Sequence, residues 1–132
     1  MKKTPREVRI DPSGVQRAPR ASQVVNFNDY QVSALDTALY KKGDAMAYLA
    51  LGLCGESGEV AEKLKKLIRD NNFIFENKDI QAIVDELGDV LWYISCMANE
   101  LGISLGYVAT RNLEKLQRRK KNNTISGSGD DR

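Results

Sequence analysis

The sequence predicts an all-α protein, a small four-helix bundle, on three observations. All three prolines (Pro5, Pro12 and Pro19) fall within the first 25 residues, so none breaks a helix further along the chain. Beyond them, apolar residues recur at steps of three and four, the spacing that lines one face of a 3.6-residue helix. No stretch alternates apolar and polar residues for long enough to build a sheet, and no internal repeat is present. At 132 residues the chain is a single domain.

The first helix is expected from about Asn28, a capping residue, to Tyr40, with Tyr30, Ala34, Leu35 and Ala38 on one face. Lys41-Lys42-Gly43 would close it, since cations suit a helix C-terminus and glycine the residue beyond. The second is expected from Asp44, as N-cap, to about Arg69, turning Ala50, Leu53, Cys54, Ala61, Leu64 and Ile68 inward before Asp70-Asn71-Asn72 breaks it. The third follows Asn77, with Ile80, Ile83, Val84, Leu87, Leu91, Ile94, Ala98 and Leu101 down one face, and Gly102 ends it. The fourth runs from Ser104 to about Lys121. Short connections make consecutive helices antiparallel neighbours. Around this domain (residues 26–121) lie a basic, poorly ordered arm at residues 1–25 and a Gly/Ser-rich tail at residues 122–132.

Composition removes whole classes of function. Histidine is absent, which excludes Ser-His-Asp triads, Cys-His pairs, imidazole bases and His-ligated zinc. A net charge of +2 argues against a simple polyanion-binding protein, so nucleic acid is an unlikely partner. Cys54 and Cys96 sit in apolar helical patterns and read as buried, reduced core thiols. No run is long and apolar enough to cross a membrane, and the basic N-terminus lacks the apolar core of a secretion signal. A cytoplasmic protein is expected.

The second helix contains a contradiction. Gly52, Gly55 and Gly58 interrupt it, each at a cost of roughly 1 kcal/mol relative to alanine. Such breaches of local preference are tolerated where function or close packing compensates. Glu56 and Glu59 flank Gly58, three residues apart and therefore on one face. Glu86 and Asp89 flank Gly88 in the third helix in the same way. Glu62 shares the first face, but Lys66 four residues on offers it an ordinary surface ion pair. Two converging carboxylate pairs repel unless they are protonated, paired with cations or bound to metal. Oxygen ligands without His or Cys select hard cations, Mg²⁺ or Mn²⁺, and Mg²⁺ favours a phosphate-bearing partner.

GESGEV followed by DELGDVLWY spells Glu-x-x-Glu, twenty-six residues, then Glu-x-x-Asp. With Phe27-Asn28-Asp29-Tyr30-Gln31, NLEKLQRRK and the closing GSGDDR, this resembles the MazG-like nucleotide pyrophosphohydrolases of the all-α nucleoside triphosphate pyrophosphatase superfamily. The resemblance implies Mg²⁺-dependent hydrolysis of a (deoxy)nucleoside triphosphate to monophosphate and pyrophosphate. It implies metal ligation by Glu56, Glu59, Glu86 and Asp89, with Tyr93 facing the nucleotide and Asn112, Lys115 and Arg119 meeting phosphates. Lys120-Lys121-Asn122-Asn123 stands where the family often has His-Pro-Asp-Gly. Without histidine, Glu59 is the expected proton acceptor. The Gly/Ser-rich tail could fold over the nucleotide.

The competing reading is a non-catalytic module, a nucleotide sensor or nucleic-acid adaptor built on the basic arm and the Arg118–Lys121 cluster. It leaves the carboxylate pairs and the interior glycines unexplained. Assembly as a dimer or tetramer is expected, because Ala47, Leu51, Leu67 and Trp92 exceed what one bundle seam can cover.

Overall fold

The structure, a computed structural model, describes residues 9–10 and 25–126. Within them a two-residue strand β1 (Arg9–Ile10) precedes α1 (Phe27–Leu35), a 3₁₀ turn (Lys42–Asp44) and α2 (Ala45–Asp70). Strand β2 (Ile74–Phe75), α3 (Asn77–Glu100) and α4 (Leu105–Lys121) follow. The α2–α3 hairpin is the main packing unit, and α1 and α4 lie against α3. The four expected helices are therefore present. The rest of the expected arm, and residues 127–132 of the tail, lie outside the described residues.

Each helix end has a local cause. Asn26, rather than Asn28, caps α1, its side-chain oxygen accepting from the backbone N–H groups of Asn28 and Asp29 at 3.1 and 2.9 Å. Asp44 precedes α2 as expected but makes no side-chain cap bond. The Asp79 carboxylate accepts from the Glu76 N–H at 2.9 Å to start α3. At its end Gly102 takes φ +70°, while Gly102 N–H and Ile103 N–H donate back to the carbonyls of Asn99 and Ala98. Ser104 then caps α4 through Tyr107 N–H at 3.1 Å. Asn123, at φ +54°, closes α4 in the same left-handed manner.

Three sequence expectations need correction. The first helix stops at Leu35, five residues short of Tyr40. The Ala34 carbonyl, which a continuing helix would offer to Ala38, instead accepts from the Thr37 hydroxyl at 2.7 Å and the Trp92 indole at 3.2 Å. The buried face of α2 is also rotated. Ala45, Leu49 and Leu67 are buried, whereas Ala50, Cys54, Ala61 and Ile68 are exposed, so of the two thiols only Cys96 belongs to the core. Apolar residues on several faces of α2 left the seam undecided until α3 packed against it. Val84, Leu87 and Leu101 of α3 are likewise exposed. Third, β1 pairs in parallel with β2 (Arg9 with Ile74, Ile10 with Phe75), a ladder too short to register as alternation.

The α3–α4 corner is held by a polar stitch. Gln31 is buried, and its amide donates to the carbonyls of Ser95 and Ile103 at 3.2 Å each. Its oxygen accepts from Leu105 N–H at 2.9 Å. Asn28 accepts from Gly106 N–H at 3.1 Å, and a Cβ at Gly106 would lie 2.7 Å from that oxygen. The Asn-x-x-Gln of the first helix is thus a structural clamp: it satisfies backbone groups that the corner would otherwise leave unpaired.

Candidate functional site

The glycine-interrupted stretch of α2 faces the middle of α3 and brings carboxylates together. Glu56 from α2 and Glu86 and Asp89 from α3 each place one carboxylate oxygen within 4.8 Å of the others. Glu56 and Glu86 are half-buried, and Asp89 is exposed. Burial raises the Glu56 carboxyl above its ordinary value, and the charges of Asp89, Glu59 and Glu86 push it further the same way. The fourth expected ligand, Glu59, is exposed and stands outside this triplet. Its charge nevertheless reaches both Glu56 and Lys63.

Lys63 is the residue that sequence reasoning missed. Its Nζ lies 2.7 Å from Glu86 Oε1, with side-chain exposures of 32% and 13%. That hydrogen bond raises the lysine pKa against the opposing effect of burial. The lysines and arginine nearer the end of α2 are engaged elsewhere: Lys65 and Lys66 with Glu62 at 3.8 and 3.4 Å, and Arg69 with Asp70 at 2.6 Å. Spacing could have found Lys63, because it follows Glu59 by four residues and Glu56 by seven and so shares their face.

The glycines divide into two kinds. A Cβ at Gly52 would lie 2.0 Å from Cε1 of Tyr93, so that glycine exists to let the ring cross α2. Among the described residues, a Cβ at Gly55, Gly58 or Gly88 would meet nothing within 4 Å, leaving open space beside the acids. Tyr93 is half-buried, its ring centroid 6.3 Å from that of Tyr48. Burial first, then Tyr48, and then the charges of Glu56 and Asp89 raise its pKa. Beyond it the aromatics continue: Tyr93 to Tyr48 at 6.3 Å, Tyr48 to Tyr40 at 6.0 Å, and Trp92 edge-on to Tyr93 at 5.0 Å. Tyr40, Tyr48 and Trp92 line a cleft of about 490 Å³ with Lys41 and Asp44 at its polar end.

The expected phosphate contacts lie on α4. Asn112 (exposed) and Lys115 (half-buried) line a separate cleft of about 350 Å³ with Arg111, Glu114 and Arg118. Arg119 is buried at 7% exposure, and its carbonyl accepts from Thr124 N–H at 2.9 Å.

The donor set suits a hard divalent cation. It offers only carboxylate oxygens, from two helices, with no nitrogen or sulfur ligand among them. The charges of Asp89, Glu59 and Glu86 that help raise the Glu56 carboxyl are the repulsion that a cation would relieve. Among the described residues, no helix is long and apolar enough to cross a membrane.

Comparison with known proteins agrees with this geometry. Residues 45–124 match the family model of the MazG nucleotide pyrophosphohydrolase domain, a span from the start of α2 to just beyond α4. The chain is 44% identical over 109 residues to the Gene 37 protein of Mycobacterium phage L5, covering 78% of this chain and 96% of that one. No solved structure matches.

Proposed function

Because the chain belongs to the MazG nucleotide pyrophosphohydrolase domain family, we propose that it hydrolyses (deoxy)nucleoside triphosphates to the monophosphate and pyrophosphate. The observation that carries this reading is the convergence of Glu56, Glu86 and Asp89 within 4.8 Å across the α2–α3 crossing. These three carboxylates, with Glu59 at the rim, would hold Mg²⁺ or Mn²⁺. Bound there, the ion supplies Lewis-acid polarisation of a phosphate oxygen and lowers the pKa of a water.

The remaining work falls to the chain itself. Glu59, exposed and outside the triplet, would accept a proton from an attacking water. Tyr93 and Tyr48 form a wall beside the carboxylates, and the aromatic cleft beyond them offers stacking surface for a base. Lys115, Asn112 and Arg119 would serve the phosphates, as the family resemblance implies.

Self-association belongs to the same proposal. Leu39, Leu51, Val32 and Leu113 stand 95, 75, 66 and 58% exposed, and Ala47 is exposed as well, apolar surface that a partner subunit would cover. Leu67, by contrast, is covered within a single chain. A dimer or tetramer would cover the exposed set, and light scattering showing an active monomer at micromolar concentration would refute it.

The deciding experiment is an assay in ¹⁸O-water over the common dNTPs and NTPs with Mg²⁺. Label in the monophosphate, with pyrophosphate as co-product, supports attack at the α-phosphate. Label in orthophosphate, with a diphosphate as co-product, refutes it. Absence of turnover with every substrate would favour a non-catalytic nucleotide-binding role.

A further inference from the structure

Glu86 has two possible uses for the same carboxylate. It is one of three acids whose oxygens lie within 4.8 Å of each other, and it is also the partner of Lys63 at 2.7 Å. The pair is not a solvated surface contact, since the Glu86 side chain is 13% exposed and that of Lys63 only 32%. Lys63 is also the one lysine of α2 that reaches across to the site, because Lys65 and Lys66 turn to Glu62 on the outer face. An ammonium is thus seated against a carboxylate cluster whose charges otherwise oppose one another.

Resting on the metal-site reading above, we propose that Lys63 is a positioning residue that stands in for the divalent ion. In the metal-free protein its ammonium holds Glu86 against the repulsion of Glu56 and Asp89, keeping the carboxylate at the crossing. An entering ion competes with that ammonium for Glu86, so metal affinity is set below what the carboxylates alone would give. Once released, Lys63 would turn to the neighbouring groove of about 420 Å³ that it already lines, where Asp70, Glu76 and Asp79 offer carboxylates. The arrangement trades metal affinity for a site that stays ordered while empty.

The test compares the full-length wild type with Lys63→Met and Lys63→Arg, reading Mn²⁺ affinity by titration calorimetry and metal-free melting temperature. Methionine keeps most of the unbranched apolar stem of lysine without its charge. Lys63→Met should bind Mn²⁺ roughly tenfold more tightly, the scale expected when a unit charge is removed within several ångströms of a divalent ion. Its metal-free melting temperature should fall, and the deficit should close at saturating Mn²⁺. Lys63→Arg should keep near-wild-type values for both. Unchanged or weaker Mn²⁺ binding by Lys63→Met, in a protein whose Glu86→Gln variant loses Mn²⁺, would overturn the role given to Lys63 and leave the metal site standing. Failure of the wild type to bind Mn²⁺ at all would overturn the metal-site reading, and this inference with it.

Discussion

The two halves of the bundle solve opposite problems. At the α3–α4 corner, buried backbone groups are matched: Gln31 meets two carbonyls and an N–H, only the Ser95 hydroxyl among the described residues there lacks a partner, and Cys96, Ala98 and Leu105 have almost no exposure. At the α2–α3 crossing, three carboxylates face one another with Lys63 against one of them, and among the described residues nothing fills the space beside Gly55, Gly58 and Gly88. One half accumulates satisfied contacts, and the other accumulates repulsion and room. On the proposed function, stability and ligand binding would therefore be carried by different residues, and substitutions should separate them.

The largest separation is expected at Asp89. Asp89→Asn keeps shape and hydrogen-bonding capacity but removes a charge from the cluster, so activity should fall by about a hundredfold or more. The metal-free melting temperature should hold or rise, because one repelling charge has gone. Parallel measurement of turnover and thermal melting checks both, and a variant that melts early yet stays active would return the acid to an ordinary structural role. Glu86→Gln should lose activity equally, but it also strands Lys63, so its stability should not rise.

Gln31→Ala probes the other half. It leaves the Ser95 and Ile103 carbonyls and the Leu105 N–H without their partner in a buried corner. Each such loss costs on the order of 1–3 kcal/mol, and partial relaxation should bring the total to about 2–4 kcal/mol in urea unfolding. Turnover per folded molecule should be largely kept. A drop in turnover without loss of stability would mean that the corner and the site are one unit.

The glycines sharpen the contrast further. Gly52→Ala drives a methyl into the Tyr93 ring and should destabilise by about 1–3 kcal/mol while raising KM. Gly58→Ala meets nothing among the described residues and should stabilise the isolated fold by up to roughly 1 kcal/mol through helix propensity. If substrate or a second subunit occupies that space, the same variant should lose activity despite its added stability.

The smallest effect is a pH dependence. The Glu56 carboxyl is raised above 4.5 by burial and by Asp89, Glu59 and Glu86. The folded protein therefore holds this proton more tightly than the unfolded chain. Its contribution to stability is present below the unfolded value and is lost as pH climbs through the raised one. Metal needs the anion, so Mn²⁺ affinity should rise through the same window. Urea unfolding of metal-free protein across that range should show the decline, and Glu56→Gln should flatten it; a slope of opposite sign would mean that Glu56 is stabilised as the anion.

Much of this molecule is determined along the chain. Helix number and the stops at Gly102 and Ser104 follow from periodicity and capping, which act between residues no more than a few positions apart. The same locality placed Glu56 beside Glu59 on one helix and Glu86 beside Asp89 on the next. What each helix turns toward its neighbours is different in kind. The rotation of α2 that buries Leu49 and exposes Cys54 was decided by packing, because several faces of that helix are apolar. So was the end of α1 at Leu35, where an indole 58 positions away claims the Ala34 carbonyl. The pairing of Lys63 with Glu86 and the clamp made by Gln31 also join residues far apart in sequence. Rotation about a helix axis costs nothing in local hydrogen bonding, so only tertiary contacts could choose which Glu56, Glu86 and Asp89 oxygens meet.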